Sequence, residues 1–484
     1  MSDSKRQFAI EVVRRLQQSG HRALWAGGCV RDLVMGHEPD DFDVATSARP
    51  EQVQDLFRRT IAVGASFGVI VVVGQPEQGQ VEVATFRTEG MYSDGRHPDH
   101  VEFSTPEADA GRRDFTINGI FFDPIRDELL DFVGGRADIE RRVLRAIGDP
   151  RDRFAEDRLR MLRAVRFSAR FGFAMDPATE DAIQRVAGSI SGVSAERIQN
   201  ELRRLLEHPS RVAGIALCDR VGLLSAVLPE LVATHGIPQG KPVQPTGDLW
   251  EHILLVLEFL GDAWRTTVDR LGLAEKKGIS PIDTKHPSGR SGQLDLSPFS
   301  TEPSFTLVMG VLLHDVGKPP TMGRNGTRLT FHHHEHAGSR MADEIGRRLK
   351  LSNDDRERIT WLVEHHMYLC DAKHMRLAKL KRILVHPGIA ELLALHRADA
   401  LASSGESEAV EYCEKMLREM PETELNPPPL LTGHDLVRID LAPGPLFKQT
   451  LDAVREAQLD GSIRSKKDAI ALVKRLIGER PPKK

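Results

Sequence analysis

The chain has 484 residues, a formal net charge of −4 and four scattered cysteines, Cys29, Cys218, Cys370 and Cys413. This length suggests two to four domains, and the near-neutral charge means that any nucleic-acid surface must be local. The absence of CxxC spacing excludes a thiolate zinc site and favours a reducing compartment. No apolar run approaches a membrane span, so the protein reads as soluble and cytoplasmic, with no membrane partner.

In chain order, Phe8, Val12, Val13 and Leu16 mark one face of an amphipathic first helix. ALWA (23–26) is predicted as a short strand entering the glycine pair of GGCVRD (27–32), and FDVAT (42–46) as the next strand. VIVVV (69–73) and VEVATF (81–86) flank a Gly/Pro/Gln turn and predict a hairpin. From about residue 150 the pattern turns helical, clearest in RFAEDRLRMLRAVRFSARF. The predicted fold class is α+β: a head with a small mixed sheet, followed by helical domains. The boundaries are a head over 1–150, a helical neck and body over 151–270, a Gly/Ser/Pro-rich mobile insertion over 271–304, a histidine-rich helical domain over 305–425 and a helical tail over 426–484.

The chemistry concentrates in a few segments. Asp41 and Asp43, one residue apart in an extended stretch, are expected on one side of the strand, where they would share two divalent cations. Gly28 lets backbone approach a triphosphate, and Arg31 supplies a forked donor for its oxygens. RRDFTIN (112–118) puts paired arginines, Arg112 and Arg113, beside an Asp and an Asn, a combination suited to a triphosphate and a sugar hydroxyl. DFVGG (131–135) reads as a hinge between lobes or a plain turn.

In EDRLRMLRAVRF (156–167), Asp157 and Arg160 are expected as i,i+3 neighbours on one helix, a carboxylate acceptor beside a guanidinium donor. That pair matches the exocyclic amine and ring nitrogen of cytosine and adenine, and mismatches guanine and uracil. Arg163 and Arg166 continue at spacing three, but the row winds, so they are not all expected to share one face with Asp157; some would hold phosphate or RNA while Asp157 and Arg160 read the base.

GGCVRD, DFDVAT, RRDFTIN, DFVGG, EDRLRMLRAVRF and SAERIQNEL (194–202) stand in order. Together they resemble the class II tRNA nucleotidyltransferase (CCA-adding) and bacterial poly(A) polymerase family, whose head is polymerase-β-like. The resemblance implies that Asp41 and Asp43 bind Mg2+, with Arg113 at the catalytic centre, and that Gly28, Arg31 and Arg113 hold the triphosphate. Asp157 and Arg160 would select the base, with Arg163 and Arg166 completing the nucleotide pocket; Glu82 would be a third carboxylate. Residues 86–104 resemble the loop that full CCA-adding and A-adding members retain. The implied activity is addition of CCA to tRNA 3′ ends from CTP and ATP. The acceptor stem would be read by shape through the arginines of 151–170 and 197–204. The alternatives are an A-adding enzyme or poly(A) polymerase, and, from another class, a metal phosphohydrolase whose polymerase-like half only binds RNA.

His252, the adjacent His314 and Asp315, and Asp399 resemble the ligand set of the histidine–aspartate (HD) phosphohydrolase superfamily. Imidazole and carboxylate donors suit Mn, Ni, Fe or Zn without choosing among them. His334 and either His365 or His366 would extend the set to a second ion bridged by Asp315. His332, His333 and His336 are expected to be exposed or supporting residues rather than ligands.

Overall fold

The structure, a computed structural model, describes residues 2–64, 68–89, 101–238, 247–273, 302–326, 328–403, 405, 407–439 and 444–478. Two compact units divide the chain at Val232/Ala233. The insertion expected over 271–304 and the loop over 86–104 fall largely outside the described residues.

The first unit opens with the helix α1 (Ser2–Gln18), whose Val12, Val13 and Leu16 are buried against the sheet. Among the described residues, nine strands follow up to residue 131: β1 (Ala23–Ala26), β2 (Asp43–Thr46), β3 (Thr60–Gly64), β4 (Val69–Val73), β5 (Gln80–Thr85), β6 (Arg87–Glu89), β7 (Val101–Phe103), β8 (Ile120–Asp123) and β9 (Glu128–Asp131). Seven of them form one sheet in the order β3-β4-β5-β2-β1-β8-β9. β4 and β5 are the expected hairpin; the β2–β5 pair is parallel and the rest are antiparallel, so the sheet is mixed. Central β1 is buried along its whole length, which explains its run of apolar residues without polar alternation.

DFVGG lies between β9 and the helix α3 (Gly135–Arg141), with α2 being Gly28–Val34. It turns the chain within the head and does not join lobes. Gly134 adopts a left-handed φ of 77°, and a Cβ on Gly135 would meet the Thr116 carbonyl oxygen at 2.1 Å. Tight packing, not hinge freedom, explains the pair.

Beyond the head, α4 (Pro150–Glu156), α5 (Arg160–Phe171) and α6 (Ala195–Leu206) lead the helical part of the first unit. The second unit is built around α7 (Leu249–Arg270), α8 (Phe305–Leu313), α9 (His334–Arg348), α10 (Asn353–His365) and α11 (Ile389–Ser403). α7, placed at the end of the body in the sequence reading, packs instead along α11 within this unit, because its buried face of Ile253, Val256, Leu257 and Leu260 needs an apolar partner. The tail packs Leu436, Val454, Ala469 and Val473 into its own small core.

Close approach also shapes the turn after His314 and Asp315. A Cβ on Gly317 would stand 2.0 Å from the His334 carbonyl oxygen and 2.6 Å from the Gly338 nitrogen. Gly317 therefore lets the His-Asp turn lie directly on α9. Gly317→Ala is expected to cost about 2–3 kcal/mol of stability through overpacking against backbone, read as a lower midpoint in urea unfolding; an unchanged midpoint would contradict this packing.

Candidate active site and metal centre

A cleft of about 640 Å³ opens in the first unit between head and helices, walled by eight arginines against three carboxylates. The glycine pair Gly27–Gly28 at the start of α2, Arg31 and Asp43 come from the head; Asp157, Arg160, Arg163 and Arg166 come from the helical side. A wall with that excess of guanidinium groups suits a polyanion with a small organic moiety.

The arginines are held by acids behind them. Arg31 is buried; it bonds Asn118 Oδ1 at 2.8 Å, pairs with Asp32 and lies over Phe171, 4.6 Å from the ring centre. Arg113 donates to Asp109 and to the Asn118 carbonyl. Arg163 Nε donates to Asp114 Oδ2 at 2.8 Å, and Arg166 Nε donates to Glu201 Oε2 at 2.7 Å. Asp114 and Asn118, the Asp and Asn of RRDFTIN, are thus largely committed to Arg163 and Arg31. All four expected nucleotide contacts of the helical side do line the cleft, including Arg163 and Arg166, which the winding argument had separated from Asp157.

The reason is that Asp157 and Arg160 do not share a helix. α4 ends at Glu156; Asp157 is extended (φ −141°, ψ 104°), and α5 begins at Arg160. The Asp157 carboxylate accepts from the Leu159 N–H at 3.1 Å, a local bond that competes with helix continuation. Its other oxygen accepts from Arg197 at 2.8 Å. Arg160 is fixed by Glu156 at 2.6 Å and by the carbonyls of Arg153 and Arg112. Each carboxylate oxygen keeps a second lone pair, so Asp157 retains capacity for a ligand amine.

The paired acids also differ from expectation. β2 begins only at Asp43; Asp41 stands in the bend before it, its side chain 88 % exposed, with Lys5 Nζ 3.6 Å away. No ladder fixes Asp41, and the ammonium of α1 draws it. Strand pairing instead sets Asp43 opposite Glu82 across the parallel β2–β5 register. Asp43 opens onto the cleft but has protein on its other sides. This partial burial, with the charges of Glu82 and Asp41, outweighs Arg113 and raises its pKa to about 6.

In the second unit, Asp315 is the hub of a buried histidine cluster. Its Oδ2 lies 3.2 Å from His314 Nε2 and 3.9 Å from His252 Nε2, and His252 reaches Asp399 at 3.2 Å. Its Oδ1 lies 3.2 Å from His334 Nε2 and 3.6 Å from His366 Nε2. Two ligand sets thus meet at one bridging carboxylate: His252, His314 and Asp399, and Asp315, His334 and His366. The Nδ1 atoms of His314, His334 and His366 face the carbonyls of Val311, Phe331 and Val363 at 2.7–2.9 Å. A donated Nδ1–H leaves each Nε2 lone pair aimed inward.

Apart from its ion-pair contact with Asp315, His314 Nε2 is buried with no hydrogen-bond partner among the described residues, as a ligand nitrogen would be. The donor chemistry fits borderline divalent ions. Burial pushes Asp315 up, but His314 and Lys318 beside it hold it well below the usual carboxylate range. His365 does not join; it stacks on Trp361 at 4.8 Å and faces that residue's carbonyl, whereas His366 is the one that reaches Asp315. A second cleft of about 420 Å³ reaches the centre at Asp399 and is also lined by His396.

Sequence models of three protein families match in order: the poly A polymerase head domain over residues 23–145, the probable RNA and SrmB-binding site of polymerase A over 172–234, and the HD domain over 289–404. Three segments of the chain are thus each similar to a domain of this kind: a poly A polymerase head, a polymerase A RNA-binding part and an HD domain. The CCA-adding enzyme of Bacillus subtilis (strain 168) is 46 % identical over 200 residues, 41 % of this chain and 50 % of that protein. That of Bacillus pumilus (strain SAFR-032) is 36 % identical over 274 residues, 56 % of this chain and 65 % of that protein. The chain therefore spans between half and two-thirds of the length of these curated relatives. The crystal structure of the Bacillus stearothermophilus CCA-adding enzyme in complex with CTP is similar with a TM-score of 0.64, at 26 % identity over 98 % of both chains. Head and HD domains of these kinds use divalent metals. No described helix is long and apolar enough to cross a membrane.

Within this cleft, Asp109, Asp114, Glu156, Glu201 and Arg197 hold the expected site residues in place, a role that the sequence did not disclose. Glu201 lay visible in SAERIQNEL, but nothing in the spacing says that it reaches Arg166. Burial opposes ionisation of Asp114, yet Arg163 and Asn118 outweigh it and bring its pKa to about 2, below the ordinary 3.8. A carboxylate depressed in the folded state stabilises above its unfolded pKa, and that stabilisation disappears as pH falls through the folded value. Asp114→Asn is expected to cost about 2–3 kcal/mol near neutral pH, the gap to wild type closing between about pH 4 and pH 2. Urea unfolding across that range checks it; a gap independent of pH would show that Asp114 acts through shape alone.

Proposed function

We propose that the chain is a cytoplasmic enzyme that adds C, C and A to tRNA 3′ ends from CTP and ATP. The observation carrying this reading is the single arginine-walled cleft that Asp43 shares with Asp157 and Arg160. Likeness to CCA-adding enzymes, one of them described in complex with CTP, supports it.

In this reading Gly28, Arg31 and Arg113 hold the triphosphate, Arg163 and Arg166 close the nucleotide pocket, and Asp41 and Asp43 hold Mg2+, with Glu82 beside Asp43. Magnesium, when bound, would neutralise phosphate charge and lower the pKa of the attacking 3′-hydroxyl. Arg31 and Arg113, already oriented by Asn118 and Asp109, stabilise the charge that develops as pyrophosphate leaves. Asp157 accepts from the exocyclic amine of C or A, while Arg160 donates to the adjacent ring nitrogen. The arginines of the helical side, with the 172–234 segment, receive the acceptor stem by its backbone.

Purified protein given a tRNA lacking CCA is expected to incorporate C from CTP alone and to finish the end once ATP is added. Incorporation of A without C would favour an A-adding enzyme or a poly(A) polymerase. Asp43→Asn should lower turnover roughly a thousandfold, as loss of a main electrostatic group does. Asp157→Ala should damage base choice more than turnover; equal loss for all four nucleotides would contradict the template role.

The bridged ligand sets around Asp315 favour a second activity. We infer that the HD domain is a metal phosphohydrolase for phosphomonoesters or cyclic phosphates at RNA ends, using Mn, Ni, Fe or Zn. Asp315→Asn is expected to abolish phosphate release from such substrates while leaving nucleotide addition at its wild-type rate. Loss of both together would argue against separate centres.

A further inference from the structure

Of the histidines in FHHHEHAG, His334 turns inward onto Asp315, 3.2 Å away, while its neighbours turn outward. There His333, Glu335 and His336 each offer one ligand atom, all within 4.8 Å of one another. Glu335 Oε1 is 3.9 Å from His333 Nδ1 and 3.8 Å from His336 Nε2. These separations are too long for hydrogen bonds. They lie within about half an ångström of the edge of a tetrahedron around an ion with bonds of roughly 2.0–2.1 Å.

Three features suit the group to an ion. His333 adopts a left-handed φ of 61° at the residue before α9, and its ring lies nearly parallel to that of His336, at 15° and 6.1 Å. Glu364 of α10 approaches the far nitrogen of His336, with Nδ1 and Oε1 3.5 Å apart. A carboxylate at that position favours the Nδ1–H tautomer and leaves the Nε2 lone pair towards Glu335, the usual support for a metal-bound imidazole. Finally, among the described residues the ion pairs of Glu335 and Glu364 are with histidines, not with lysine or arginine.

We propose that His333, Glu335 and His336 form an outer site for a borderline divalent cation such as Ni2+, Zn2+ or Co2+, separate from the centre around Asp315, with Glu364 as its supporting residue. Two imidazoles and one carboxylate select such ions over Mg2+ and Ca2+, which take oxygen ligands. With His333 and His336 side chains 81 % and 44 % exposed, the ion exchanges freely and leaves room for water ligands.

The test is Co2+ binding to the chelator-stripped full chain, followed by equilibrium dialysis and visible absorption. Wild type is expected to bind one more ion than His333→Ala/His336→Ala, the missing ion being the weakest held. Asp315→Asn/His366→Ala should keep that weak ion while losing the tight ones. Glu364→Gln should loosen it roughly tenfold, as removal of a supporting carboxylate does. The milder Glu335→Gln serves if the double variant does not fold, and it too should lose the weak ion. Equal stoichiometry and affinity in wild type and in these outer variants would overturn the proposal.

Discussion

The buried carboxylate of Asp114 is the constraint on which the arginine-walled cleft depends. It accepts from Arg163 on the helical side and from Asn118 Nδ2 at 3.0 Å on the head side, and Asn118 in turn accepts from Arg31. Glu201 continues the chain to Arg166. Hydrogen bonds therefore run from Arg31 to Arg163, and a 3.9 Å ion pair between Arg163 and Glu201 joins them to Arg166. Removing one partner from such a buried pair leaves an uncompensated charge, which is why the network is stringent. Its benefit is that the guanidinium groups need little reorganisation to meet developing charge. The acids that do this holding are not the ones that touch the ligand in the proposed reaction. Asp109 and Glu156 serve Arg113 and Arg160 in the same way.

This division of labour explains what the sequence disclosed. Residues meant for the ligand stand in short ordered segments, such as GGCVRD and EDRLRMLR, because one turn or strand end must present them together. Apolar runs marked β1 and β4, strands buried in the sheet, and alternation marked β5, which buries one face. The holding acids pair over long separations, Arg166 with Glu201 and Arg163 with Asp114, which no local periodicity encodes. Asp157 shows the opposite failure. Its neighbourhood reads as one uninterrupted helix, yet its side chain satisfies the Leu159 N–H and ends the run. Asp is a natural cap, and weighing that property against the apolar period would have exposed the break. With Asp157 off the helix, the winding of Arg160, Arg163 and Arg166 no longer separates them from it.

The histidine cluster was legible as a ligand inventory but not as an arrangement. His365 and His366 are adjacent in VEHH, and only the rotation of about 100° per helical residue sends one to Trp361 and the other to Asp315. What orders the inner ligands is a repeated device: each of three imidazoles faces the carbonyl three residues before it. His314 and His366 stand at the C-terminal ends of α8 and α10, where carbonyls lack intrahelical partners. The helix ends thus select the tautomer that a metal site requires.

The two centres apply one principle with opposite sign. In the first unit acids hold arginines, and the surplus of positive charge prepares a place for phosphates. In the second, neutral carbonyls hold imidazoles around carboxylates, and the surplus of lone pairs prepares a place for cations. Orientation of the inner histidines uses backbone, so it persists as long as the helices do. Among the described residues, the outer group of His333, Glu335 and His336 has a side chain, Glu364, in that supporting role. A site ordered by backbone should hold its ion tightly, whereas one ordered by a side chain must spend part of its binding energy on ordering itself. The difference in support, more than the donor atoms, is therefore what ranks the two sites in affinity.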